Sequence, residues 1–150
     1  MKGVTSRIQL NMARINQLDR AKIKALEMTG GAIHTDLVQS QTMPRKTGAL
    51  QNESTFVDTS NSNRGSVQIV SSTPYARRLY FHPEYHFHRE PWERTGFKRE
   101  NGELVFDVLD EGEGNPHAGG EWFAPYLAGG EKENFAPNKF KQFYRQEAGV

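Results

Sequence analysis

Apolar residues recur at three- and four-residue spacing through the first quarter of the chain. Ile8, Met12, Ile15, Leu18, Ala25/Leu26, Ala32/Ile33 and Leu37 lie on one stripe, with Lys22 in register. That spacing predicts one helix from about Ile8 to Val38. Arg14, Arg20, Lys24, Glu27 and Asp36 fall mostly off the stripe, as a helix with one buried face requires. Thr29-Gly30-Gly31 interrupts it. A glycine costs about 1 kcal/mol in a helix interior, so a kink, a junction of two helices or close packing against another element is expected there. His34 beside the stripe reads as a core-edge or surface residue.

The pattern changes at Met43-Pro44-Arg45-Lys46-Thr47-Gly48-Ala49-Leu50. Pro44 lacks an N–H and pushes Met43 out of the helical region, so the helix ends at or before it. Short alternating runs follow. Gln51–Asp58 and Ser66–Ser71 read as two strands joined by the polar turn Ser60–Gly65, with Val67 and Ile69 on one face. Thr73-Pro74 reads as the N-cap and first position of a short helix. Tyr75 and Leu79 would share its face, with Arg78 beside them. A long hairpin is expected over roughly 86–98 and 103–110, turned by Asn101-Gly102. Residues 111–120 form a glycine-rich connector, and Trp122, Phe123 and Tyr126 a dense aromatic anchor, so 111–133 reads as an arm. The last stretch, Asn134 to Glu147, reads as an amphipathic helix. It starts near Ala136, with Phe135, Phe140, Phe143 and Tyr144 on one face and Lys139, Lys141 and Arg145 outside.

The pattern thus predicts a long N-terminal helix, two hairpins and a short C-terminal helix in a single domain, 1–150. The chain has 150 residues, of which 35% are hydrophobic, enough for a real but thin core. Its mean hydropathy of −0.76 is low for a self-sufficient globule. With nine Phe, five Tyr and two Trp, some aromatic surface is expected to be buried against partner chains. The absence of Cys excludes disulfides, thiolate metal sites and cysteine nucleophiles. No apolar run approaches the ~20 residues needed to span a bilayer, and the first residues lack the apolar core of a signal peptide. Synthesis and use in a cytosol, or in something assembled there, is the expectation.

The formal net charge of +1 hides a gradient. Residues 1–50 carry eight Lys/Arg against three Asp/Glu, residues 51–100 seven against six, and residues 101–150 four against nine. Such a dipole either orients subunits head to tail or is incidental; a DNA-wrapping protein is normally far more basic. His82, Glu84, His86 and His88 are the most metal-like group, but the spacing matches no established zinc motif and Pro83 breaks the strand geometry. There is no phosphate-cradling loop, no Gly-x-Ser-x-Gly elbow and no HExxH. An enzyme is not expected, and no catalytic residue, cofactor or metal is assigned.

Three motifs occur in order: Pro44-x-x-Thr47-Gly48-x-Leu50 after a long helix, Pro74-Tyr75-Ala76-Arg77-Arg78-Leu79-Tyr80 after a hairpin, and Asn115-Pro116-x-Ala118-Gly119-Gly120-x-Trp122-Phe123-x-Pro125-Tyr126 before a terminal helix. Taken together they resemble the minor capsid proteins of tailed bacteriophages, and the wider group of head–tail joining, neck and tail-completion proteins of long-tailed phages. Residues 89–113 look longer and more charged than that group. The resemblance implies a small α+β domain with a long N-terminal helix, a twisted and mainly antiparallel sheet with a long hairpin, and a short C-terminal helix. It implies a structural virion protein at the head–tail junction, assembled in the host cytoplasm. It implies a homo-oligomeric ring, hexameric or dodecameric, that binds connector and tail-tube proteins and passes DNA without sequence-specific contact. No membrane and no cofactor are implied. Arg45, Lys46, Thr47, Gly48, Tyr75, Arg77, Arg78, Tyr80, Trp122, Phe123 and Tyr126 are the expected interface residues, with Trp122→Ala weakening assembly more than Trp92→Ala. Trp122 plugging its own domain's core is the rival expectation. The alternative function is a nucleic-acid-binding module in which Arg45, Lys46, Arg64, Arg77 and Arg78 grip phosphates and Tyr75 and Tyr80 stack bases. A metal-dependent enzyme built on the histidine stretch is the third.

Overall fold

Asn11 sets where the first helix begins. Its side-chain oxygen accepts the Arg14 N–H at 3.0 Å, so helix α1 runs Met12–Gln39 and not from Ile8. The computed structural model describes residues 3, 5–44, 49–82, 94–100, 103–109, 115 and 117–150. Helix α1 is continuous through Gly30-Gly31. Of the three explanations for those glycines, close packing holds at Gly30. A methyl group there would stand 2.7 Å from Val67 Cγ1 and 2.9 Å from Val57 Cγ1. Gly31 faces open space.

After α1, Ser40 N–H closes the last turn on the Asp36 carbonyl at 2.9 Å. Gln41 takes a left-handed φ of 54° and redirects the chain, and Met43 and Pro44 are buried. Gln51–Ser54 is not extended as predicted. Ala49–Glu53 is one wide helical turn, closed by Ser54 N–H to the Ala49 carbonyl at 2.8 Å. Gln51, Asn52 and Glu53 alternate in no apolar pattern, so nothing commits them to a ladder. Strand β1 is only Thr55–Asp58, and it pairs antiparallel with β2, Gln68–Ser71, placing Val57 opposite Ile69. A helical turn at Ser62–Arg64 and Gly65 at φ 83° connect them.

Helix α2 is Ala76–Tyr80. Thr73 does not cap it as expected. Its carbonyl accepts the Ala76 N–H at 3.0 Å, its hydroxyl is buried with no hydrogen-bond partner among the described residues, and Tyr75 holds the cap position. The buried face is Ala76 with Leu79 and Tyr80, not Tyr75 with Leu79. Strands β3 (Arg94–Glu100) and β4 (Glu103–Leu109) form the long hairpin, antiparallel with Glu100 opposite Glu103. Residues 101–102 and 86–93 of the predicted hairpin lie outside the described residues. Among the described residues there are two separate two-stranded sheets, β1-β2 and β3-β4. The chain leaves β2 through Thr73-Pro74 directly into α2, and a proline there cannot extend a ladder.

Helix α3 spans Phe135–Ala148 and packs along α1 in the opposite direction. Lys24 meets Glu147 at 2.7 Å near one end, and Asp36 meets Lys132, just before α3, at 2.6 Å near the other. Small side chains on α1, Ala21 and Ala25, allow the approach. The fold is thus the α+β arrangement predicted, a long N-terminal helix, antiparallel strands and a short C-terminal helix. Its main core lies between α1, the turn at 49–53, α2 and the segment around Trp122: Leu37, Met43, Leu50, Ala76 and Trp122, with Leu79, Tyr80, Phe123 and Tyr126 packed around them.

Candidate functional site: a clamped joint and an open apolar cleft

The joint after α1 is held by a residue more than sixty positions away. Asn115 is fully buried. Its amide donates to the Met43 carbonyl at 2.7 Å and to Gln51 Oε1 at 2.6 Å. Gly119 N–H adds a bond to the Thr42 carbonyl at 2.9 Å, and Gln51 Nε2 reaches the Val38 carbonyl at 3.3 Å. The C-terminus of α1 and the turn after it are thereby tied to the segment that the sequence marks as a travelling connector. From Asn115 onward that segment is not a free arm: it is docked on its own chain. Residues 111–114, and Pro116, lie outside the described residues.

The aromatic anchor completes the docking. Trp122 is 2% exposed. Its ring meets Tyr80 edge-on at 5.0 Å and Phe123 at 6.2 Å, and Tyr80 meets Phe123 at 5.8 Å. Glu121, at a left-handed φ of 51°, donates its N–H to the Tyr80 carbonyl at 2.9 Å and so seats the tryptophan. Trp122 plugs the core of its own chain, which is the rival expectation. Its surface is already taken by Tyr80, Phe123 and the core, and truncating it acts first on the fold of its own chain. Its indole N–H has no partner among the described residues.

Tyr126 is fixed electrostatically. Its hydroxyl donates to Asp36 Oδ2 at 2.5 Å, and Lys132 donates to the same oxygen at 2.6 Å. Desolvation pushes the Asp36 carboxyl up, but the hydrogen bonds from Lys132 and Tyr126 and the charges of Lys132 and Lys139 outweigh it and hold it below the usual range. Tyr126 is pushed strongly upward, by burial first and then by its hydrogen bond to Asp36 and that carboxylate's charge. Tyr80 is raised by burial and by Glu121. The two glycines after Tyr126 have separate causes. Gly129 takes a φ of 83°. A side chain on Gly130 would strike the carbonyls of Ala124 and Pro125, because Lys132 N–H must reach the Pro125 carbonyl at 2.8 Å.

The remaining expected interface residues divide. Tyr75, Arg77 and Arg78 are exposed on α2, and Arg64 on the β1–β2 connection. Arg45, Lys46, Thr47 and Gly48 lie outside the described residues, as do Glu84, His86, His88 and Trp92. Among the described residues no group of three His, Asp or Glu side chains is placed to hold a metal, and no helix is long and apolar enough to cross a membrane. The structure therefore brings Tyr80, Trp122 and Phe123 together, with Tyr126 close by, and leaves Tyr75 and the arginines on the surface. His34, expected at a core edge, is half-buried and bonds the Thr55 carbonyl at 2.9 Å, tying α1 to β1.

Beside this docked segment lies an open cleft of about 570 Å³. Leu26, Ile33, Val67, Ile69, Phe123 and Leu127 line it, and Leu127 is exposed at its rim. Sequence reasoning missed it, together with the roles of Asp36, Gln51 and Lys132. Its lining comes from α1, the β1–β2 hairpin and the 122–127 segment, which no local pattern connects. Comparisons with models of protein families, with curated proteins and with solved structures return no match to this chain.

Proposed function

We propose that this chain is a structural subunit of a bacteriophage neck, assembling as a homo-oligomeric ring that joins the DNA-filled head to the tail and lines the DNA passage. The observation that carries the reading is the mismatch between core and surface. Among the described residues the fully buried hydrophobics are Ala21, Ala25, Leu37, Met43, Leu50, Ala76, Trp122 and Ala148. Half of these are alanines. Meanwhile Ile8, Leu10, Met12, Phe56, Tyr75, Phe81 and Leu127 stand exposed. Exposed apolar side chains in this number are what a subunit buries against its neighbours. The ordered motifs around Pro44, Pro74 and Trp122 support the phage assignment, and the charge gradient suits heterologous contacts that close into a ring. The ring is hexameric or dodecameric, touches connector and tail-tube proteins, and passes DNA without reading it.

The test is electron microscopy of a lysate from the parent phage with this gene deleted. Filled heads beside separate tails establish a joining role, and tails of uncontrolled length assign the tail-terminator layer. Normal joined virions refute the reading. A second function has one observation in its favour: Tyr75, Arg77 and Arg78 are exposed together on α2. If they form a nucleic-acid surface, the monomer binds DNA tightly and the affinity falls steeply with salt.

A further inference from the structure

The segment before α1 carries a pattern that its own chain does not use. Residues 5–11 form no helix, strand or turn and are exposed. Ile8, Leu10 and Met12 alternate with Gln9 and Asn11, so in an extended chain the three apolar groups share one side. Ile8 is 85% and Leu10 65% exposed. The open cleft beside the docked segment is lined almost wholly by apolar groups. The two are complementary in charge as well. The arm carries Arg7 and no acid, and the first turn of α1 adds Arg14. The segment that supplies Phe123 and Leu127 to the cleft carries Glu121, Glu131 and Glu133, all exposed.

The arm cannot fill the cleft of its own chain. Leu26 lies fourteen residues beyond Met12 on α1, about 21 Å along the helix at 1.5 Å per residue. Ile8 lies four residues before Met12 and reaches back at most ~14 Å, and Leu10 about half that. We infer that the N-terminal segment Arg7–Met12 of one copy seats in the Leu26/Ile69/Leu127 cleft of the next copy, head to tail. The two surfaces are different, so the contact is heterologous and propagates to a ring or an open chain. Arg7 and Arg14 face the acidic 121–133 segment of the neighbour and set the direction of docking. The inference rests on the ring reading for the number of copies, and on the arm and the cleft for the contact.

The absence of cysteine makes the contact directly testable. Leu10→Cys and Leu127→Cys are made as separate full-length variants, one isotope-labelled, then mixed and oxidised. The expected product is a disulfide-linked pair containing one of each, told from homotypic pairs by intact mass. The double variant Ile8→Asp/Leu10→Asp, which touches no core residue, is expected to keep the helical circular dichroism and to self-associate at least tenfold more weakly. An oligomer that persists with only homotypic pairs, or that tolerates the double Asp variant, overturns the arm placement and leaves the ring reading standing. A chain that stays monomeric at every concentration overturns both. A mixed pair from a phage whose deletion leaves virions joined supports the contact and refutes the neck function.

Discussion

Gly30 and Gly31 are adjacent, both inside α1, and a methyl group at each should move stability in opposite directions. At Gly31 the new methyl meets nothing within 4 Å. Gly31→Ala therefore gains the helix propensity of alanine, about 1 kcal/mol. At Gly30 the same gain applies, but the methyl would sit 2.7 Å from Val67 Cγ1 and 2.9 Å from Val57 Cγ1. Carbon atoms rest at about 3.5–4.0 Å, so both valines must retreat by several tenths of an ångström or more. Valine is stiff at χ1, and Val57 is held in β1 by the ladder opposite Ile69. The hairpin backbone must move as a unit. Overpacking of this kind costs about 1–3 kcal/mol, which leaves Gly30→Ala between neutral and about 2 kcal/mol destabilised.

The two variants should then differ by about 1–3 kcal/mol. In a domain of this size that is roughly 2–4 °C in Tm for each kcal/mol, or a shift of the urea midpoint with an unchanged slope. Val67→Ala removes the nearest obstructing methyl, so it should cost less in the Gly30→Ala background than in the wild type. The coupling should be about 0.5 kcal/mol or more. Gly30→Ala as stable as Gly31→Ala, or additivity with Val67→Ala, would refute the claim that this glycine exists to admit the hairpin.

Asn115→Leu leaves the Met43 carbonyl and Gln51 Oε1 without their donor and should destabilise by about 1–3 kcal/mol in chemical denaturation. Trp122→Ala should cost about 3–5 kcal/mol of monomer stability, seen as a lowered Tm even under conditions where no oligomer forms. The Asp36 carboxyl has a folded-state pKa below its unfolded value, so its contribution is present above about pH 4 and is lost as pH falls through the depressed value. Asp36→Asn should flatten that acid limb of the stability–pH curve. Tyr126 is shifted the other way. Above about pH 10 the unfolded chain releases the phenolic proton first and stability falls, a decline that Tyr126→Phe should lessen, with Tyr80, also raised, supplying the remainder.

What the sequence made legible is what short-range periodicity encodes. The apolar stripe from Met12 to Leu37 predicts α1, and the aromatic face from Phe135 to Tyr144 predicts α3, because each pattern repeats over several turns. The errors fall where one residue decides. Asn11 starts the helix later than the stripe does, since a cap satisfies donors that an apolar residue such as Ile8 cannot. Gln51–Glu53 carry no alternation, and the chain resolves them as a helical turn by closing Ser54 on Ala49. The docking of 115–132 was hidden for a different reason. Asn115 and Asp36 act on Met43 and Tyr126 across the chain, and nothing in their neighbourhood marks a polar residue that will be buried.

That hidden docking decides which parts of the chain remain for other molecules. Once Asn115 and Trp122 are used internally, what the aromatic anchor still presents is the part of Phe123 and Tyr126 that lines the cleft. The connector's freedom is spent on folding. Among the described residues the exposed large apolar side chains include Ile8 and Leu10 before α1 and Met12 at its start, Phe56 in β1, Tyr75 and Phe81 flanking α2, and Leu127 at the rim of the cleft. The arm leaves from Met12, whereas the cleft lies against the middle of α1, at Leu26, Gly30 and Ile33. In the contact we infer, the arm before α1 and the cleft against the middle of that helix, which the arm of the same chain cannot reach, are each filled by a second copy.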